Sequence, residues 1–197
     1  MILIHPYWQS CPTNLTGSTS TSGVDNGNDS RIPYYGLYDW EWSAWILTAA
    51  ELGGAKQISA IGILNTQYTL PYTYFNQTIK AAHITQSQFP NSTQPLNLSG
   101  LTISDLKTVR GSHNAVISNA VYTKHTFDSN FCYNGTSNMI FIWEHRGGTA
   151  TDSVGYGFAR QVVSTSQGAF SGSITGTSFP TADATVINLK PRTLIYY

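Results

Sequence analysis

Aromatic and polar residues alternate with a period of two near residue 40. The aromatic positions are Tyr38, Trp40 and Trp42, and the polar positions between and after them are Asp39, Glu41 and Ser43. In a strand, successive side chains point to opposite faces. The pattern therefore predicts a strand with one aromatic face and one solvated face.

Further alternating or β-forming runs follow, separated by Gly, Pro and Asn. They cover 56–64, 73–85, 106–110, 114–127, 139–145, 155–164 and 184–197. The run 56–64 is apolar on both parities, which is typical of a central strand. Gly111 and Asn134-Gly135 are predicted turns. No period of 3.6 persists for about ten residues, so the chain is predicted to be an all-β, antiparallel β-sandwich, jelly-roll-like.

One short helical turn interrupts this pattern at residues 48–53. Thr48 and Glu51 have the spacing of a capping box, in which the Glu side chain reaches back to the Thr amide. Gly53 and Gly54 follow, and glycine ends helical turns in a left-handed conformation. A single turn cannot stand alone, so it is expected to pack on a sheet.

The first 31 residues differ from the rest. Residues 1–9 form an apolar arm, and residues 10–31 have loop composition throughout. We therefore divide the chain into an N-terminal arm and polar loop, 1–31, and a β-sandwich domain, 32–197. Cys11 and Cys132 could pair, but Cys11 falls in the predicted loop, which favours two free thiols.

Composition restricts the function. Charged residues make up only 10% of the 197 residues and the formal net charge is zero, which argues against nucleic acid as a partner. No apolar run approaches the roughly 18 residues of a membrane span, and the N-terminus lacks the basic region of a signal peptide. A virion protein, made in the host cytoplasm and working outside a cell, would fit these observations.

Candidate chemistry is sparse. No His has a second His two or four residues away, so no metal site is predicted. A Glu41/Glu144 carboxylate pair could hydrolyse a glycoside only if both groups shared one cleft, and the sequence gives no sign of that. We predict that the chain has no catalytic residues, binds no cofactor and is not an enzyme.

The aromatic cluster has two interpretations. Tyr and Trp on a sandwich face can stack on sugar rings, but Trp40, Trp42 and Trp45 lie between core-forming segments and are predicted to be mostly core. Tyr34 and Tyr35 lie nearer the loop, as does Tyr38, and are better candidates for an exposed surface.

Three segments, in the same order along the chain, resemble parts of a jelly-roll module of bacterial secreted and adhesin-like proteins. They are 34–63, with Thr48, Glu51, Leu52 and Gly53; 75–89; and 127–143, with Phe127, Phe131, Tyr133, Gly135, Ser137 and Asn138. The resemblance covers roughly residues 32–160. It implies a non-catalytic accessory or adhesion sandwich, of a kind that also resembles phage virion accessory domains.

These observations predict a structural virion protein of a tailed phage: a capsid decoration, head-fibre or tail component. The predicted partners are a major capsid or tail protein and further copies of the chain. The predicted assembly contacts are Ile2, Ile4, Tyr7, Trp8, Tyr34, Tyr35 and Tyr38. The alternative is a carbohydrate-binding or adhesion module at the cell surface, and a third, weaker interpretation is a glycan-degrading enzyme.

Overall fold

The computed structural model describes residues 11–12, 15–20, 25–29, 32–33, 40–65, 72–90, 98–117, 122–146, 158–162, 167–173, 179–180 and 184–197. The elements in these ranges are β1 (Ser18–Ser20), β2 (Asp25–Asp29), β3 (Trp40–Leu47), α1 (Ala49–Leu52), β4 (Lys56–Leu64), β5 (Tyr72–Ile84), β6 (Ile103–Ile117), β7 (Tyr122–Tyr133), β8 (Asn138–His145), β9 (Phe158–Val162), β10 (Gly168–Ser173), β11 (Thr185–Ile187), β12 (Leu189–Pro191) and β13 (Thr193–Tyr196).

Two antiparallel sheets pack against each other, as the sequence predicts for an all-β sandwich. One has four strands in the order β1-β13-β4-β7, and the other has six in the order β11-β10-β3-β8-β5-β6. A small sheet, β12-β9-β2, completes the described strands. The main core contains Ile61 and Ile195 from the four-stranded sheet and Trp45, Phe141 and Trp143 from the six-stranded sheet, so it lies between them.

The strand β3 is buried on both faces, which corrects the prediction of a solvated face. Trp42 belongs to a second core on the outer face of the six-stranded sheet, together with Phe89 and Phe179. Glu41 is 1% exposed and Ser43 is fully buried. The alternation was real, but the polar positions face the sandwich interior because layers cover this central strand on both sides.

The strand β4 is central, as the apolar residues at both its odd and its even positions predict. It pairs with β13 on one side and β7 on the other. Ile58, Ile61 and Ile63 all belong to the main core. Their spacing departs from strict alternation because the register with β7 shifts between Ile58 and Ala60.

The helical turn α1 is also where the sequence places it. The capping box of Thr48 and Glu51 is present, and the Thr48 amide donates to Glu51 Oε2 at 2.9 Å. Gly53 follows with φ +71°, a conformation that glycine adopts without a steric cost. Leu52 is buried against the main core, which supplies the packing that a single turn needs.

Turn predictions have mixed outcomes. Asn134-Gly135 does separate β7 from β8, with Gly135 at φ +82°. Gly111, predicted to be a turn, lies inside the continuous strand β6. It coincides with a register shift against β5, so the glycine marks a bulge. The predicted strand 114–127 is divided, because β6 ends at Ile117 and β7 begins at Tyr122.

The C-terminal run 184–197, predicted as one strand, forms three. Its strands β11, β12 and β13 belong to three different sheets. Asn188 separates the first two and Arg192 the last two. The alternation is too short-ranged to reveal that the chain changes sheets at these residues.

The N-terminal region corrects two predictions. Residues 10–31 are not loop throughout: β1 pairs with β13, and β2 pairs with β9, because serine and asparagine backbones can pair at a sheet edge. Cys11 and Cys132 are not free thiols; they form a disulfide with Cα atoms 5.4 Å apart. Their separation of 121 residues hid the proximity that the fold creates. The division of the chain at residue 31 stays a prediction.

Candidate functional site

Ile2, Ile4, Tyr7, Trp8, Tyr34, Tyr35 and Tyr38 lie outside the described residues. Their role stays a prediction. The described part of the chain presents other arrangements to consider: the two glutamates, a polar row inside the sandwich, a His83–Asp105 contact, the outer face of the four-stranded sheet, and a shallow depression beyond β5.

The hypothetical carboxylate pair does not form. On neighbouring strands, Glu41 lies opposite His145, whereas Glu144 lies opposite Trp42. Directly opposite residues share a face and consecutive residues alternate, so Glu41 and Glu144 project from opposite faces of the six-stranded sheet. Glu144 instead binds Lys80 at 2.6 Å. A glycosidase pair needs both carboxyl groups in one cleft, and this geometry separates them by the sheet itself.

A row of polar side chains crosses the inner face of the six-stranded sheet. Glu41, His145, Gln77 and His113 are register neighbours on β3, β8, β5 and β6. Gln77 is fully buried, and its Oε1 accepts from Trp143 Nε1 at 2.5 Å. This row was missed from sequence because its members come from four separate segments.

The row meets the opposite sheet at a pair of histidines. His113 Nε2 lies 3.4 Å from His125 Nδ1, and the His125 ring packs edge-on against Trp143 with centroids 4.6 Å apart. Burial lowers the pKa of His125 to about 3, with nearby His113 and Arg110 adding to the effect. Burial also lowers the pKa of His113. Both rings are therefore neutral near pH 7.

A second histidine contact anchors a turn. His83 Nδ1 lies 3.4 Å from Asp105 Oδ2, and His83 Nε2 accepts from the Asn134 amide at 3.2 Å. Burial lowers the pKa of His83, and Asp105 opposes part of that change. Because the Asn134 amide occupies Nε2, this His–Asp pair has no nitrogen left for a general base. It fixes the turn between β7 and β8.

The outer face of the four-stranded sheet carries a tyrosine surface. A Cβ added to Gly62 would lie 3.3 Å from Tyr196 Cε2 and 3.3 Å from Tyr122 Cβ, so both side chains crowd over the glycine. Lys124 Nζ lies 4.4 Å from the centroid of the Tyr196 ring, within the range of a cation–π contact. Both tyrosines are partly exposed. The sequence signal for this surface is a small residue, Gly62, on a central strand, together with tyrosines on the neighbouring strands whose side chains lie on the same face of the sheet.

A shallow depression of about 550 Å³ lies beyond the end of β5. Its lining carries no charge and consists of Thr85, Gln86, Ser87, Gln88, Phe89, Pro90 and Gly100. The aromatic ring in it, Phe89, is only 2% exposed. The depression therefore offers hydroxyl and amide groups without an accessible ring for stacking.

The described residues hold no group of three His, Cys, Asp or Glu placed to bind a metal ion. Within the same ranges, no helix has the length and apolar character to span a membrane. Comparison of the chain with models of known protein families, with curated proteins and with solved structures finds no match.

Proposed function

We propose that this chain is a non-enzymatic structural component of a phage virion, a capsid decoration, head-fibre or tail protein, that acts through protein–protein contacts. The observation that carries the proposal is the Cys11–Cys132 disulfide. Disulfides persist in oxidising surroundings such as virion surfaces and extracellular space, and are rare in the cytosol. The bond favours a protein that works outside the cell.

The disulfide also attaches residue 11 to the sandwich. Cys11 is the second residue after the predicted apolar arm, 1–9, and Cys132 is an exposed residue of β7. The bond therefore joins Cys11 to a strand of the four-stranded sheet. We expect an arm that precedes this bond to reach a neighbouring subunit while the sandwich stays folded.

The surface composition supports close packing between subunits. Charged residues make up 10% of the sequence, compared with about a quarter in typical globular proteins. Burying a charge at an interface costs desolvation energy, and interface centres are depleted in charge. A weakly charged surface is therefore suited to an assembly.

Deletion of residues 1–9 tests the proposal. The truncated chain should keep the Cys11–Cys132 bond and the thermal midpoint of the sandwich, yet be incorporated into particles or oligomers several-fold less than the full chain. Phe75→Ala, a change at an exposed residue of β5, is the control and should assemble normally. Equal incorporation of the truncated and full-length chains would remove the assembly role of the arm.

A second function, carbohydrate binding, is favoured by the tyrosine surface. Tyrosine combines a large flat contact area with a polar end, and Lys124 places a hydrogen-bond donor over the Tyr196 ring. Binding to an array of neutral and acidic oligosaccharides, lost in Tyr196→Ala and kept in Phe75→Ala, would support this function. Absence of binding, or binding that is unchanged in Tyr196→Ala, would contradict it.

A further inference from the structure

A buried lysine lies among a carboxylate and a carboxamide near α1. The Lys190 side chain is fully buried. Its Nζ lies 2.6 Å from Glu51 Oε1 and 2.7 Å from Glu51 Oε2, and it lies 2.7 Å from Gln167 Oε1. The Ile46 carbonyl is 3.4 Å away. These residues come from β12, α1, the position directly before β10, and β3, so the fold has gathered them from distant segments.

The groups are the reactants for an amide exchange. An amine and a carboxamide give a secondary amide and ammonia, and a carboxylate can carry the proton. Since a C=O bond is about 1.23 Å long, the Gln167 Cδ atom lies at most about 4 Å from Lys190 Nζ, close to the separation of a near-attack geometry. The Gln167 backbone is held in place, because its carbonyl accepts from the Ile46 amide at 2.9 Å.

Protonation sets how the reaction could begin. Burial lowers the pKa of Lys190, and Glu51 opposes this. Burial raises the pKa of Glu51, but its bonds to Lys190 and Thr48 outweigh that effect and leave the pKa lowered. The ion pair is therefore the main state, and a neutral amine beside a carboxylic acid is a minor one. A minor reactive state is enough when the product is removed from the equilibrium, and ammonia diffuses away.

We propose that Lys190 and Gln167 form an intramolecular ε-(γ-glutamyl)lysine cross-link, with Glu51 as the proton carrier. Glu51 takes one proton from Lys190 Nζ, and the freed lone pair attacks Gln167 Cδ to form the new C–N bond. Glu51 then transfers a proton to the departing amide nitrogen. The original C–N bond breaks and ammonia leaves; the second proton of Lys190 Nζ passes through Glu51 to this ammonia, which departs as ammonium, so the new amide is neutral and Glu51 is again a carboxylate. No oxidant, reductant or further reactant is required.

The cross-link would join β12 to the residue directly before β10, and these two strands belong to different sheets. It goes beyond the proposed virion function and does not depend on it. Its signature is covalent and survives denaturation, which an ion pair does not.

The test is the intact mass of the purified, reduced full-length chain. We expect a mass lower by one ammonia than the sequence requires, and fragmentation showing a branched peptide that joins Gln167 to Lys190. Lys190→Arg and Glu51→Gln should restore the full mass. Lys56→Arg is the matched control and should keep the deficit, because Lys56 Nζ is buried against the Leu52 carbonyl at 2.5 Å, and the hydrogen bonds of this amine to described residues include no carboxamide.

The wild-type protein decides the outcome even if a variant fails to fold. Folded wild-type chain with the full, unmodified mass would overturn the proposal. An ammonia loss that maps to Asn134-Gly135, where a succinimide would give the same deficit, would overturn it as well.

Discussion

His113 of β6 and His125 of β7 meet across the gap between the two sheets, with Nε2 of the first 3.4 Å from Nδ1 of the second. Trp143 packs edge-on against the His125 ring from the six-stranded sheet. The charged groups that act on this pair are Arg110 and Asp128. Protonation would weaken the contact, because a charged ring loses its hydration in the buried site and protonation of both rings would place like charges next to each other.

Acidification should therefore destabilise the sandwich. The folded pKa of His125 is lowered from 6.5 to about 3, so the unfolded chain binds the proton first as the pH falls. The stabilisation is complete above pH 6.5 and is lost progressively below it, toward about pH 3. At pH 5 this histidine alone should lower the free energy of unfolding by about 2 kcal/mol. Urea unfolding at pH 7.5, 6 and 5 measures this change in the free energy of unfolding.

His125→Phe separates this effect from general acid sensitivity. The variant should show a shallower loss of stability between pH 7 and 5 than the wild type, while His113 and His83, whose pKa values are also lowered, continue to contribute. Parallel pH profiles for the two proteins would show that the His125 proton is not linked to folding.

Loss of the disulfide should lower stability by about 3–5 kcal/mol, the range for a bond that closes a long loop. Cys11→Ser, Cys132→Ser and the double variant should have the same thermal midpoint, since each removes one and the same bond. Reduction of the wild type should reproduce that midpoint. A double variant clearly less stable than either single variant would show that the cysteines contribute separately.

The capping residue Thr48 should contribute modestly to the free energy of unfolding, and Glu51 should contribute more. Thr48→Ala should cost about 1 kcal/mol of unfolding free energy. Glu51→Ala should cost more, because Glu51 also binds the fully buried Lys190, and an unpaired buried charge is destabilising. Denaturant titration of the two variants tests the order. Equal costs would mean that Glu51 acts only through the cap.

No hydrolysis of polysaccharide or peptide substrates is expected. Glu41 and Glu144 lie on opposite faces of one sheet, as their partners His145 and Trp42 show, and so cannot act together on one bond. Assays with reducing-sugar and peptide-release readouts should give the same background for the wild type, Glu41→Gln and Glu144→Gln. Turnover by the wild type that disappears in either variant would contradict this.

Local features of the fold could be predicted from the sequence. The capping box at Thr48, the end of the turn at Gly53, the Asn134-Gly135 turn and the central strand 56–64 depend on neighbours in the chain. They are confirmed for that reason.

Features that depend on tertiary packing could not be predicted in this way. Alternation at Glu41 and Ser43 indicates a two-sided strand but cannot tell whether the polar side faces water or a second layer. Glycine occurs both in turns and in β-bulges, so the residue type of Gly111 does not distinguish between them. The Cys11–Cys132 bond and the His113–His125 contact join segments whose proximity only the folded topology reveals.

The central claim is that the chain is part of a virion, and mass spectrometry of purified particles tests it most directly. Particles released from cells that carry the gene should be banded on a density gradient and quantified fraction by fraction. We predict that the chain follows the major capsid protein at a constant ratio, and that its Cys11–Cys132 bond is intact. Absence of the chain from the particle fractions, with the protein remaining among host-cell material, would contradict the account.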